Sequence, residues 1–318
     1  MNKLIVLAFN EEQGIQKTIE NLIDDFDEII VVNDKSTDNT LSILQNLSSE
    51  FENIKIISNK KNMGPGKSME IGMKAALETP FRFVVKVDGD NQFDTNDIKD
   101  LLDLAAENKS DFIKCDRFWV GGVEGEIPKI RYFGNSFASL LIKMVTGNWR
   151  LNDPLNGLFL FSYEISKLFR IPKFFNRYGY PFFINAYISK LGIENEFNLH
   201  QYKNKITYGS ESSKLNPITV FLKLILFSLF HFFSTIKTKL KYSSHQLSAL
   251  IDIFALLSFV FSVFSLSMTL ATRFFGYMGN QGAWSLLFVI LFITFFVLIF
   301  QTQKILRKVN DRYFTYLN

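Results

Sequence analysis

Short β-branched runs alternate with helically spaced apolar positions through the first half of the chain. Leu4-Ile5-Val6-Leu7 breaks into the polar Asn10-Glu11-Glu12-Gln13-Gly14, after which Ile15, Ile19 and Leu22 recur at helical spacing. The pattern repeats: Glu28 to Val32 reads as a strand, the polar stretch Asn33 to Thr40 as a loop, and Leu41, Ile43, Leu44 and Leu47 as a helix face. Ile54 to Ile57 makes a third strand, and Asn62-Met63-Gly64-Pro65-Gly66-Lys67 opens a helix holding Met69, Gly72, Met73 and Ala76. Phe83 to Val87 is a fourth strand that ends in Asp88-Gly89-Asp90-Asn91-Gln92, Asp111 to Arg117 a fifth, and a helix is predicted from Asn135 to Val145. Strands alternating with helices predict an α/β fold with a mostly parallel sheet, right-handed crossovers and the strands' C-terminal loops gathered along one edge.

The pattern changes in the last third. Leu247 to Thr272 carries one ionisable residue, Asp252, in 26 positions, and Ala283 to Gln303 carries none in 21; about 20 apolar residues span a bilayer, so two transmembrane helices are expected. Asp252 should lie near the headgroups or face a partner helix. Pro217 to Thr235 is apolar but includes Lys223 and His231, which favours a helix lying at the membrane surface, with His231 interfacial. The expected organisation is a catalytic domain over 1–215, a juxtamembrane helix region over 216–246, a hairpin over 247–303 and a cytoplasmic tail over 304–318.

The formal net charge of +4 is modest and gathers beside the apolar segments: Lys237, Lys239 and Lys241 before the first, Lys304, Arg307 and Lys308 after the second. That distribution points to a membrane partner, not to nucleic acid, and by the positive-inside rule puts both ends of the hairpin in the cytoplasm. The N-terminus lacks a signal-peptide pattern, which agrees with a multi-pass inner-membrane protein whose large domain is cytoplasmic. The single cysteine, Cys115, is expected in the core.

Asp88 and Asp90 are the first candidates for chemistry. Two like charges so close favour a hard cation between them, Mg2+ or Mn2+, with Gln92 adding a neutral oxygen; the plainer alternative is a polar turn after a strand. Asp34 is placed to accept from a base or ribose, while Lys67 and the backbone around Gly64 and Gly66 could face a diphosphate at a helix N-terminus. A dinucleotide-binding fold fits poorly, because the first strand is followed by acids and not by a glycine-rich turn.

Ala8-Phe9-Asn10-Glu11, Val32-Asn33-Asp34-Lys35-Ser36-Thr37-Asp38, Asn62-Met63-Gly64-Pro65-Gly66 and Asp88-Gly89-Asp90-Asn91-Gln92 stand in the order of the motifs of family 2 glycosyltransferases with the Rossmann-like GT-A fold. More narrowly, the chain resembles the polyprenyl-phosphate glycosyltransferases related to dolichol-phosphate mannose synthase. It departs from them at Ala8-Phe9 and at Asn33 and Lys35, where aspartate and glycine are usual. The resemblance implies that Asp88, Asp90 and Gln92 hold the metal and donor diphosphate, and that Ala8, Asn10, Glu11 and Asp34 contact the nucleotide of a UDP- or GDP-linked sugar.

The resemblance also places the Tyr132-Phe133-Gly134-Asn135-Ser136 segment near the acceptor. Arg117 and Arg131 suit phosphate oxygens, with Asn135 beside them and Lys205 or Lys214 supplying further charge. Asn152-Asp153-Pro154-Leu155-Asn156-Gly157 resembles the family's segment beside the sugar and makes Asp153 the candidate carboxylate at the reaction centre. The expected function is inverting transfer of a sugar to a polyprenyl phosphate, and a homo-oligomer is compatible with it. A hydroxyl acceptor on a lipid or glycan is the alternative, and a non-catalytic nucleotide-sugar-binding scaffold is a third reading from another class.

Overall fold

The computed structural model describes residues 1–119, 123–124, 129–148, 150–195, 197–207, 217–276, 280–309 and 314–317. The predicted elements are present: β1 (Asn2–Ala8), α1 (Ile15–Glu20), β2 (Glu28–Asn33), α2 (Thr40–Glu50), β3 (Ile54–Ser58), α3 (Pro65–Ala76), β4 (Phe83–Asp88) and β5 (Phe112–Asp116), with a helix that was not predicted, α4 (Thr95–Glu107), between the last two. Then come β6 (Val123–Glu124), α5 (Lys129–Thr146), β7 (Phe159–Ser162), α6 (Tyr163–Lys167), α7 (Tyr180–Asn195), β8 (Leu199–Lys203) and β9 (Ile206–Thr207). Three long helices follow, α8 (Pro217–Lys241), α9 (Gln246–Phe275) and α10 (Gln281–Val309), and the described chain closes with β10 (Thr315–Tyr316). Helix α5 begins six residues before the predicted Asn135, so the segment carrying Arg131 is helical.

Eight strands form one sheet in the order β10-β8-β5-β7-β4-β1-β2-β3. All pairings are parallel except those of β7, which runs antiparallel between β4 and β5. Because β7 reverses direction on both sides, β5 points the same way as β4. The C-terminal ends of β1 to β5, β8 and β10 therefore share an edge with the loop that enters β7. That edge is where ligands bind in open α/β sheets.

Strand alternation divides the core in two. Leu4, Val6, Val85 and Ile113 pack with Ile15, Ile19, Leu44, Leu47, Ile98 and Leu101 of α1, α2 and α4 on one face. Ile5, Val84 and Phe112 pack with Met69, Met73, Ala138, Ile142 and Phe182 of α3, α5 and α7 on the other. Cys115 is buried in the first cluster, as expected.

Among the described residues three helices are long and apolar enough to cross a membrane, α8 among them. His231 and Ser234 of α8 face protein, whereas Lys237 and Lys241 are exposed. His231 Nε2 lies 3.0 Å from the Ala186 carbonyl, and Lys190 Nζ donates to Ser234 Oγ at 2.9 Å. The opposite face exposes Leu222, Leu226, Leu229, Phe230 and Phe233. Helix α8 thus packs on α7 with one apolar face left exposed, and His231 is buried between the two helices.

Lys239, one of the charges that precede the first apolar segment, is buried. Its ammonium is buried 2.6 Å from Asp252 Oδ2 of α9, while Thr302 of α10 donates to Asp252 Oδ1 at 2.8 Å. The expensive acid in the first apolar segment is satisfied from both flanking helices. Within the stretch expected as a tail, residues 314–317 enter the eight-stranded sheet beside β8. Phe314 packs in one core cluster and Leu317 in the other, so burial on both faces draws this short segment in.

Candidate active site

The loops after β1 and β2 are laced together. Asn10 Oδ1 accepts from Thr37 N at 2.8 Å, Asn10 N donates to Ser36 Oγ at 3.0 Å, and Glu11 N donates to Thr40 Oγ1 at 2.8 Å. Lys35 has φ +63°, the left-handed conformation that glycine adopts most readily, so the lysine keeps the backbone the turn requires. Asp34 is buried; its Oδ1 accepts from Met63 N at 2.8 Å and Asn59 Nδ2 at 2.7 Å, and its Oδ2 from Gly64 N at 2.7 Å. Asp34 therefore fixes the loop that enters α3 as well as standing in the cleft.

That cleft, about 390 Å³, is lined by Ala8, Glu11, Asp34, Gly64, Asp88, Arg177 and others. The stretch before α7 forms its far wall, and sequence reasoning missed it. Arg177 donates to Asn62 Oδ1 at 3.0 Å, and Lys67 N donates to the Asn176 carbonyl at 3.0 Å. A Cβ at Gly66 would lie 2.0 Å from the Phe175 carbonyl oxygen. Gly66 thus permits close approach of the Phe175–Arg177 segment. Lys67 is also turned to other work, since its ammonium is held along α3 by Glu70 at 2.7 Å; the cation expected to face a diphosphate is not presented to the cleft here.

Two strands end in the same device. Lys86 and Asp88 close β4, Lys114 and Asp116 close β5, and both lysines pair in register with Phe159 of β7. Lys86 is fully buried with its Nζ 2.6 Å from Asp88 Oδ1. Burial opposes the ammonium, but Asp88 and Tyr180 more than offset this and hold the lysine above its usual range. Burial pushes the Tyr180 phenol up to about 12. Part of the cationic charge expected beside Asp88 is thus supplied by Lys86 itself. Gly157 lets the loop before β7 approach, because a Cβ there would stand 2.7 Å from Asp88 Oδ2. Lysine two residues before aspartate in a buried strand was the available signal for Lys86 and Lys114.

Asp90 Oδ1 accepts from Gln92 N at 3.2 Å, and the Gln92 carbonyl accepts from Thr207 N at 3.1 Å, which ties the acidic loop to β9. Among the described residues no group of three or more His, Cys, Asp and Glu side chains gathers as a metal site. Mg2+ needs no such cage: it is commonly held by one or two carboxylates together with substrate phosphates and water. The hard oxygens of Asp88, facing the cleft, and Asp90 in the same loop fit that donor set.

Across β7, Asp153 is buried with φ +42° and pairs with Arg117. Arg117 Nε lies 3.0 Å from Oδ2, Nη2 donates to Oδ1 at 3.3 Å, and Arg117 N donates to Oδ2 at 3.1 Å. The two residues predicted to serve acceptor and reaction centre separately are thus partners. Lys114 donates to the Asn152 carbonyl, and burial lowers its pKa against the opposing pull of Asp153 and Asp116. Asn135 is buried in α5, and its Oδ1 has no hydrogen-bond partner among the described residues. Lys205 donates its backbone N–H to Asp97 and exposes its side chain. Lys214 and the side chain of Arg131 lie outside the described residues, as does the Gly209 to Leu215 segment.

A mostly parallel sheet with a carboxylate-bearing cleft at its C-terminal edge defines an open-sheet α/β protein. Residues 3–169 match the family model for glycosyl transferase family 2, and the chain belongs to that family. An uncharacterized protein of Methanocaldococcus jannaschii is 27% identical over 70% of this chain and 97% of its own. The UDP-N-acetylglucosamine–dolichyl-phosphate N-acetylglucosaminyltransferase of Methanococcus voltae is 29% identical over 52% of this chain and 70% of its own. Among solved structures, S. aureus TarS 1-349 in complex with UDP is 17% identical and covers 80% of each chain, with a TM-score of 0.46.

Proposed function

We propose that this chain transfers a sugar from a UDP- or GDP-linked donor to a polyprenyl phosphate of the undecaprenyl type, inverting the anomeric configuration at the cytoplasmic face of the inner membrane. The observation that carries this reading is the continuity of the cleft-bearing sheet with apolar helices: α8 docks beneath it, and β10, just after α10, is one of its strands. An acceptor confined to a bilayer suits such a molecule. The M. voltae relative, named for a dolichyl-phosphate acceptor, supports the same choice.

In this reading Ala8, Asn10, Glu11, Asp34 and Gly64 hold the nucleotide, joined by Arg177 on the far wall. Asp88 and Asp90, with Gln92 beside them, hold Mg2+ or Mn2+, which would neutralise charge building on the departing diphosphate. Lys86, 2.6 Å from Asp88 Oδ1, keeps that carboxylate fixed. Arg117 and Arg131, with Asn135, Lys205 and Lys214, receive the acceptor phosphate, and Asp153 sets the plane of the Arg117 guanidinium. An acceptor phosphate oxygen bonds to the anomeric carbon from the face opposite the diphosphate, and the breaking C–O bond leaves its electron pair on the nucleoside diphosphate. A phosphate monoester has a second pKa of about 6 and needs no base at neutral pH. Both oxygens of Asp153 face Arg117, which weighs against the general base that a hydroxyl acceptor would need.

The test is a panel of labelled nucleotide sugars offered with undecaprenyl phosphate or undecaprenol. Product with the phosphate alone is expected; product with the alcohol alone would overturn the reading.

A further inference from the structure

Tyr316, near the end of the chain, reaches the loop that carries Asp153. Its hydroxyl donates to Asp116 Oδ2 at 2.5 Å and accepts from Asn152 Nδ2 at 2.9 Å. Asp116 is buried at the end of β5, one residue before Arg117, and Asn152 directly precedes Asp153. One phenol therefore joins the chain neighbours of both members of the Arg117–Asp153 pair.

The attachment is reinforced on either side. Gln201 Nε2 donates to the Phe314 carbonyl at 3.0 Å and to the Arg150 carbonyl at 2.9 Å, while its Oε1 accepts from Asn152 N at 3.2 Å. Phe314 N donates to the Leu199 carbonyl at 2.6 Å and Leu317 N to the Gln201 carbonyl at 2.8 Å. Phe314 is fully buried 6.2 Å from the Phe112 ring. The loop so held is not a relaxed one, since Asp153 keeps a left-handed backbone that a non-glycine residue adopts only when its surroundings impose it.

We infer that Tyr316 is a positioning residue for the acceptor half of the active site: by bridging Asp116 and Asn152, the strand that follows α10 holds the Asp153 loop and the Arg117 guanidinium in register. This rests on the transferase reading above only for its kinetic consequence. The donor cleft, lined by Asp34, Asn62 and Arg177 on the other side of β7, lies outside the bridge.

Tyr316→Phe removes the hydroxyl and keeps the ring. In the full-length protein, hydrogen exchange at the amides of residues 150–157 is expected to quicken about tenfold, the loss of one charged hydrogen bond, while the amides of β1 and β2 stay as in wild type. Unchanged exchange in 150–157 would overturn the inference, as would equal quickening throughout the domain. With polyprenyl phosphate as acceptor, kcat should fall about tenfold at an unchanged donor KM; equal loss in both, or none, would overturn it. Asp116→Asn should reproduce the exchange pattern. A wild-type protein that fails to glycosylate polyprenyl phosphate would refute the transferase reading and leave the exchange result to decide the inference.

Discussion

Asp153 and Arg117 form a buried two-pronged ion pair, Nε to Oδ2 at 3.0 Å and Nη2 to Oδ1 at 3.3 Å. Removing one partner leaves the other charge uncompensated, which for buried pairs costs roughly 3–5 kcal/mol. The Arg117 side chain is 16% exposed and that of Asp153 0%, so Arg117→Ala should lie at the lower end of this range. Combining it with Asp153→Asn should recover part of the loss, read from denaturant midpoints. A double variant no more stable than Arg117→Ala would show that the pair is not what holds these loops.

Asp90→Asn should abolish transfer while leaving the melting temperature near wild type, since Asp90 serves the donor in the proposed mechanism. Excess EDTA should stop turnover, and added Mg2+ or Mn2+ should restore it. Full activity in chelator would remove the metal from the account.

Gly66→Ala should be costly, because the new Cβ would sit 2.0 Å from the Phe175 carbonyl oxygen and backbone must move. Overpacking of this kind costs about 1–3 kcal/mol, and nucleotide affinity should drop with it. Gly134→Ala is the control: among the described residues nothing lies within 4 Å of its Cβ, and alanine in a helix gains roughly 0.5–1 kcal/mol over glycine. Isothermal titration with UDP and GDP, alongside thermal melting, separates the two.

Burial raises the Cys115 thiol well above its ordinary value. Little thiolate forms at pH 8, so a maleimide should label Cys115 only as the protein unfolds. By linkage, the folded state binds the thiol proton more tightly than the unfolded state. The stability this provides is full below the unfolded pKa of about 8.5 and declines as pH rises beyond it. Cys115→Ala should flatten that alkaline slope, and rapid labelling of the native protein would contradict the assignment.

The alternation of strands and helices was legible between Leu4 and Arg117 because β1, β2, β4 and β5 are buried on both faces, while the edge strand β3 is only half-buried, and the loops between them are polar. The placement of Asp34, Asp88 and Asp90 at one edge followed from parallel topology alone. Strand β7 was not legible, since Phe159–Ser162 is too short to show a period and its direction depends on the neighbours it enters between. Long-range pairing hid the rest. Nothing local in Arg117 or Asp153 announces the other, and the value of Tyr316 depends on Asp116, two hundred positions earlier. Lys239 read only as a charge flanking the first apolar segment because its acid, Asp252, stands in a different helix.

Strand β10 also sets an order of events during synthesis. The ribosome makes residues 1–207 with the edge of β8 still open, then both apolar helices α9 and α10, and only afterwards the residues that occupy that edge. The sheet is completed last, by a segment that emerges after the hairpin. A chain in which α9 and α10 have failed to pair would hold Phe314 and Tyr316 away from their sockets and leave the Asp153 loop unbraced.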